Sequence, residues 1–484
     1  MTWTRTARQE FDLDPAEIWA VVGDPRRLPD WQPGWAEVEL DGPVEVGTTG
    51  RLVPSGAVRS RLHRLAAGPI RIVELESGRR LSFEQPQPGG RWRFSFTVEP
   101  TPEPGTRPTP ELTTQPSPEL VEGRCLLTQQ ISYEGIVPGA NGTVIGDELA
   151  DFAVRCARLR ELTGQSPAAG GLRVVIPGGT GLLGRHLAGD LVSRGHQVVV
   201  LTRTVRDDLP FVQRTWDGRT VGPWADGLFD EPDVTAVVNL AGASVGARPT
   251  RRRIAEFTAS RVDSTRTMLD AATQALGPDR RLAAWVQAST TAIWGDAGER
   301  HCTESTPLPY GAEALPQMTG VASAWESAFT DPPAAHHHVL RTSLVLARDA
   351  ELVERLSTFA RVGLGGPMGN GRQWVSWIGL ADWLAIVRAC LGLEPEITIP
   401  DGVVVAASPE PVRNDEMMRL IRSEWRRPPA PPTFRPMAQV GGWVMGTDPA
   451  LGLTGRHATS RVLAETGHVF AQPDLAGTLH DLWS

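Results

Sequence analysis

Two patterns of apolar residues divide the chain. Between residues 4 and 134 apolar and polar positions alternate in short runs broken by glycine and proline; beyond residue 172 unbroken apolar runs alternate with stretches of helical period. Alternation over four to eight residues predicts half-buried strands, whereas continuous Val/Ile/Leu runs separated by helices predict a parallel sheet covered on both faces. The first region accordingly predicts strands at 4–13, 35–40, 50–53, 58–65, 70–76, 80–84, 91–98 and 124–134, an antiparallel meander. A helix is predicted over 15–22, because Asp14 can cap it, Pro15 takes its first position and Glu17 stands where a capping box needs it. A second helix is predicted over 146–163, where Leu149, Phe152, Ala153, Cys156, Leu159 and Leu162 recur at helical spacing ahead of Gly164. These elements make an α+β unit over 1–164.

Residues 101–124 interrupt the meander with three imperfect copies of an eight-residue unit, TPEPGTRP, TPELTTQP and SPELVEGR. Polar, proline-rich sequence of this kind buries too little apolar surface to offset its ordering entropy, so a disordered insert is expected. Residues 165–171 have the composition of a linker. Strand, glycine-rich turn and helix then repeat: LRVVIPGG, a helix over 181–194, HQVVVLTR, TAVVNLAG, a helix over 250–276, and AAWVQAST. This predicts an α/β unit over 172–424 with a doubly wound parallel sheet. PPAPPTFRP opens a small C-terminal subdomain over 425–484.

The segment VVIPGGTGLLGRHL carries the strongest chemical signal. Gly178, Gly181 and Gly184 follow an apolar strand and open a helix, as a dinucleotide-binding turn requires: a tight bend, close backbone approach to a diphosphate, and close helix–strand packing. Helix N-terminal amides then face the anion. Gly178, Gly179, Thr180, Gly181, Leu182, Leu183 and Gly184 are the candidate cofactor residues, with Leu240, Ala241 and Gly242 of NLAG on a neighbouring strand end. The second strand ends in Thr202 and Arg203, with Arg206 close behind, where an NAD(H) site usually offers a carboxylate; a cationic fork there suits a 2′-phosphate, so NADP(H) is preferred and NAD(H) is second.

Composition excludes several chemistries. All 48 basic residues are arginine, which removes Schiff-base catalysis and any Tyr-x-x-x-Lys pair, since arginine does not titrate near neutral pH. The net charge is −8, so nucleic acid is not an expected partner. The chain starts without the apolar stretch of a signal peptide, and no apolar run approaches the roughly 20 residues of a membrane span; no membrane insertion and a cytoplasmic location are expected. Cys125, Cys156, Cys302 and Cys390 are far apart, which suits reduced thiols and offers no metal-ligand spacing. His336, His337 and His338 alternate in direction on a strand and are not expected to converge on an ion, so no metal site is expected. Oligomeric state is not readable.

GGTGLLG at 178–184, NLAG at 239–242, SRVDSTR at 260–266 and STTAIWG at 289–295 together resemble the extended short-chain dehydrogenase/reductase group, a Rossmann-type fold. RTSLVL at 341–346, GLGGPMGNGRQWVSWI at 363–378 and SPEPVRN at 408–414 narrow the resemblance to bacterial epimerase-family proteins of the nucleoside-diphosphate-sugar epimerase-like kind, with a small C-terminal extension. The 1–164 unit is similar to the SRPBCC superfamily of START-like and polyketide-cyclase-like domains, on the strength of its early helix, LPDWQPGW at 28–35 and its closing helix. That resemblance implies a helix-grip domain with an apolar cavity and a hydrophobic ligand. The reductase group normally carries Tyr-x-x-x-Lys, but those positions fall here at Gln317 and Val321; the resemblance implies that the narrower family generally lacks the pair.

Ser289 and Thr290 remain at a strand end, where ligands bind in open α/β sheets, and are the candidate catalytic residues. Arg372 and Trp374 are candidates for the substrate side, whereas Arg251 to Arg253 reads as a solvated helix face. Two functions fit: an NADP(H)-dependent oxidoreductase or epimerase-like enzyme acting on a small molecule, or a sensor or scaffold in which the cofactor is regulatory.

Overall fold

The computed structural model describes residues 2–56, 63, 67–102, 120–135, 149, 151–168, 170–243, 248–433, 448 and 450–483. Strands β1 (Thr2–Phe11), β2 (Trp35–Leu40), β3 (Thr49–Pro54), β4 (Ile70–Glu76), β5 (Arg80–Gln87), β6 (Gly90–Pro102) and β7 (Leu120–Gly135) form one antiparallel sheet in the order β1-β7-β6-β5-β4-β3-β2. Helix α1 (Pro15–Val22) starts as its sequence dictates: the Asp14 carboxylate accepts from the Ala16 amide and Glu17 reaches back to the Asp14 amide. With the short helix α2 (Leu28–Trp31) and helix α3 (Phe152–Thr163), it covers the inner face of the sheet. Gly164 ends α3 with φ of 69°, a conformation that costs glycine little.

Large rings occupy the space under these helices. Trp31, Phe83, Trp92, Phe94, Phe96 and Tyr133 are all buried there, with Phe83 and Phe94 stacked at 5.1 Å. A concavity of about 220 Å³ lies instead at the β3 side, lined by residues that include Leu52, Val53, Pro54, His63 and Pro69. His63 accepts from the Ala67 amide four residues on, which is a helical turn and not part of the strand predicted over 58–65; the remainder of that strand up to 65 lies outside the described residues. Most of the proline-rich insert does too: β6 runs to Pro102 and β7 resumes at Leu120.

The second sheet contains β8 (Arg173–Pro177), β9 (Gln197–Thr202), β10 (Val212–Thr215), β11 (Thr235–Asn239), β12 (Leu282–Thr290), β14 (Ala334–Thr342) and β18 (Gly402–Ala406), in the order β10-β9-β8-β11-β12-β14-β18. Every pairing in it is parallel. Helix α4 (Leu182–Ser193) packs Leu187 and Leu191 on one face, and α5 (Arg251–Leu276) packs Met268, Ala271 and Ala272 on the other. The strand order reverses direction between β8 and β11, and at that switch point the carboxyl ends of strands open a crevice. Short pairings lie beyond this edge: β13 (His301–Cys302) with His457–Ala458, β15 (Leu344–Leu346) with β17 (Trp377–Gly379), and β16 (Trp374–Val375) with Val412–Arg413.

The two sheets are joined by more than a tether. Helix α3 packs directly on α4, and Ala168 in the linker donates to the Gly195 carbonyl at 2.9 Å. That bond holds the linker at Ala168 against the turn after α4.

Candidate functional site

Strand β8 delivers the chain into the glycine-rich turn. Gly178 has φ of 80°, and a Cβ there would come within 2.8 Å of the Leu240 carbonyl oxygen. A Cβ on Gly184 would lie 2.5 Å from the Gly179 Cα, so this glycine sets how closely α4 approaches the turn. Gly181 differs, because its added Cβ would meet only the Gly178 oxygen at 3.2 Å, leaving its outer side open. No side chain caps α4, which leaves the amides of its first turn, including those of Leu182 and Leu183, without a side-chain acceptor. The Leu182 and Leu183 side chains meanwhile pack into two different apolar cores. The turn is thus a cradle a side chain would fill, and it fits a dinucleotide diphosphate.

At the end of β9, Thr202 is buried and its hydroxyl is used locally, donating to the Thr204 carbonyl at 2.9 Å and lying 3.3 Å from the Thr180 hydroxyl. Arg203 is exposed and carries no ion pair among the described residues. Arg206 is already paired with Asp208. Only the first of the two arginines is therefore uncommitted.

Leu240, Ala241 and Gly242 leave β11 on the other side of the turn. Buried Asn239 fixes this loop: its carboxamide oxygen accepts from the Ala241 amide at 3.2 Å, and its nitrogen donates to Gln287 at 3.1 Å.

The two strand-end hydroxyls point different ways. Buried Ser289 donates to Glu326 Oε1 at 2.5 Å, and the same carboxylate receives a bidentate pair from Arg341, at 2.9 and 2.8 Å. Ser289 and Arg341 are direct partners across the β12–β14 ladder. Glu326 comes from α6 (Val321–Ser327), the helix that starts at the second position of the missing pair. Thr290 is only half-buried; its oxygen accepts from the Ala292 amide at 3.2 Å, which leaves its own proton for a ligand. Glu326 and Arg341 were invisible to sequence reasoning because 15 residues separate them.

Trp374 opens β16, and Arg372 lies two residues before it. Trp374 stacks on His457 at 4.2 Å and under Arg413 at 3.8 Å, and its indole donates to Glu299 at 3.1 Å. Hydrogen bonds from Arg413 and Trp374 hold the Glu299 carboxyl down at about 2. Arg372 is exposed, and its carbonyl accepts from Arg413. The C-terminal segment approaches the strand end through Arg456, which donates to the Gly295 carbonyl at 3.0 Å.

Asp151, His186 and Asp349 bring ligand-type atoms within 4.8 Å of one another at the first turn of α4. Arg185 is bonded to both carboxylates and His186 to Asp349, so a guanidinium already offsets one of the two negative charges. His338 is buried within β14, its neighbour His337 points to the opposite face and is half-buried, and His336 is exposed near the strand's start.

Residues 174–317 match the NAD dependent epimerase/dehydratase family, and residues 2–142 match the polyketide cyclase/dehydrase and lipid transport family. The epimerase family protein SDR39U1 of Bos taurus is 29% identical over 317 residues, covering 64% of this chain and 99% of its own; YfhF of Bacillus subtilis is 26% identical over 324 residues, with 64% and 98% covered. The crystal structure of human SDR39U1 with NADPH superposes with a TM-score of 0.55 at 26% identity, covering 64% of this chain and 99% of that one. A nucleoside-diphosphate sugar epimerase from Corynebacterium glutamicum shares the fold over 99% of this chain and 90% of its own, with a TM-score of 0.55 at 19% identity. No described helix is long and apolar enough to cross a membrane. The second unit is thus similar to NAD(P)-binding epimerase-family proteins, and the unit before it to polyketide-cyclase-like domains.

Proposed function

We propose that the chain binds NADP(H) in preference to NAD(H) and acts on a small molecule as an oxidoreductase or epimerase-like enzyme that works without a Tyr-Lys pair. The observation that carries the cofactor choice is Arg203, an exposed guanidinium without an ion-pair partner among the described residues, at the end of the second strand of the sheet. The NADPH in the human relative's structure supports the same choice. In this reading the amides at Gly181 to Gly184 hold the diphosphate, and Arg203 holds the 2′-phosphate. A bound nicotinamide supplies or accepts hydride. The chain's own contribution at the reacting centre is the Thr290 hydroxyl, whose oxygen is held by the Ala292 amide so that its proton can be donated to a substrate oxygen. Ser289 has the opposite polarity, since its proton is given to Glu326.

Titration of NADPH and NADH by fluorescence tests the reading. NADPH is expected to bind more tightly, and Arg203→Ala to weaken NADPH by about 10- to 150-fold with little change for NADH. Equal affinities in the unmutated protein would refute it.

The second reading, a cofactor-bound sensor with a hydrophobic ligand in the N-terminal domain, is favoured by Gln317 and Val321 at the acid–base positions and by the concavity beside β3. Native mass spectrometry that retains an apolar molecule, together with no NADPH oxidation across a carbonyl panel, would favour it over the enzyme.

A further inference from the structure

Arg261, on the α5 face turned to the cofactor loop, is a cation that meets no counter-charge among the described residues. Its guanidinium lies against Gly242: a Cβ on that glycine would be 3.0 Å from the Arg261 Cζ and 3.2 Å from its Nε. The other side of the fork covers the indole of buried Trp325, with Cζ 5.0 Å from the ring. Its one hydrogen bond among the described residues runs from an NH1 proton to the Phe257 carbonyl at 3.2 Å, in its own helix. A guanidinium has five N–H donors, so most of them are unspent. No acidic side chain pairs with it among the described residues, and burial pushes its pKa down to about 10 with no opposing charge.

Most arginines in this chain differ. Several of those held away from water meet carboxylates, as Arg185, Arg341 and Arg388 do, and Arg160 is met by backbone carbonyls. Others, such as Arg252 and Arg253, lie on a solvated face. Placing a guanidinium out of water without a partner is costly, and here the loop gives up a side chain at 242 to make room for it. The location is equally specific. Gly242 follows Leu240 and Ala241, which abut Gly178 of the glycine-rich turn. With Cα steps of 3.8 Å, Arg261 Cζ is within about 13 Å of the Gly178 Cα.

We infer that Arg261 is an anion-binding residue of the crevice, completed by a phosphate or carboxylate oxygen that arrives with a ligand. Two sources have this chemistry: the diphosphate of the cofactor, and an acidic group on the substrate. The second would make the substrate an anion whose charged group sits beside the cofactor loop. The inference rests on the crevice being the NADP(H) site, and the experiment separates the two failures.

Full-length protein and the Arg261→Gln and Arg261→Lys variants are compared by NADPH titration and by melting temperature in rising inorganic phosphate, with and without NADPH. If the cofactor supplies the anion, Arg261→Gln weakens NADPH by roughly 10- to 100-fold and Arg261→Lys restores much of the loss. If the substrate supplies it, NADPH affinity stays within about twofold, and phosphate raises the melting temperature of the NADPH-loaded parent but not of loaded Arg261→Gln. Either result supports the inference. In both cases ligand-free Arg261→Gln melts no lower than the parent, because an uncompensated charge has been removed. A lower ligand-free melting temperature would show that Arg261 is a packing residue, and identical responses of parent and variant to both NADPH and phosphate would equally overturn the inference. A parent that binds no NADPH refutes the cofactor reading instead, and the phosphate dependence of ligand-free protein then decides on Arg261.

Discussion

At the residue scale, Ser289 and Thr290 show how one bond of chain divides two roles. The sequence puts both hydroxyls at a strand end, and strand geometry sends successive side chains to opposite faces. Ser289 turns to the Glu326–Arg341 pair, and Thr290 caps the short turn at 291–294. Ser289→Ala should therefore act on stability: a buried carboxylate loses one of its donors but keeps Arg341, a cost of about 1–2 kcal/mol in denaturant unfolding. Thr290→Val keeps the shape and removes the proton. On a carbonyl substrate turned over by the parent, it should lose on the order of 10²-fold in kcat, against less than tenfold for Ser289→Ala. The reverse ranking would place the chemistry at Ser289. The glycine turn and the Asp14 cap were legible in the sequence because their parts are neighbours along the chain. The charge state of the crevice was not, since whether Arg261 or Arg203 has a partner depends on residues that only the fold brings near.

At the element scale, α3 was legible from one face only. Phe152, Cys156 and Leu159 recur at helical spacing and meet the sheet of their own domain. The opposite face is built of small and charged residues, and carries no apolar stripe for a sequence pattern to register. Yet Val154, Ala157 and even Arg160 are buried, because α4 packs there. Arg160 spends its donors on backbone carbonyls, including Ser193 at 3.2 Å. The closest approach is at Gly189, where a Cβ would come within 2.5 Å of the Ala153 carbonyl group. Backbone cannot yield as a flexible side chain can. Gly189→Leu should thus force the helices apart and destabilise the protein by about 2–3 kcal/mol or more, read as a drop in melting temperature of several degrees. An unchanged melting temperature would mean that α3 and α4 do not stay packed in solution.

At the scale of the whole molecule, one buried carboxylate joins three parts of the chain. Asp190 on α4 is paired with Arg388 of the helix Leu380–Cys390 at 2.7 Å and with Arg194 at 3.1 Å, and it accepts from Gln9 of β1 at 3.0 Å. Arg194 also reaches Glu10 of β1 at 2.7 Å, so the N-terminal sheet is tied into the core of the nucleotide-binding domain. These contacts span up to 198 residues of sequence, which is why no motif announced them. Burial alone would raise the Asp190 pKa, but the charges of Arg388 and Arg194 and the Gln9 bond hold it well below the usual carboxylate range. A carboxylate depressed in the folded state stabilises that state above its unfolded pKa of about 3.9, and the contribution is lost as the pH falls further. The junction between the domains should therefore weaken in acid, with unfolding free energy falling steeply between about pH 4 and pH 2. Asp190→Asn should remove that part of the acid dependence at once. It should also cost about 3–5 kcal/mol at neutral pH, because Arg388 and Arg194 are left without their buried counter-charge. Urea unfolding of parent and variant across this pH range provides the check: curves that stay parallel down to pH 2 would mean that Asp190 is not the group through which acid loosens the junction.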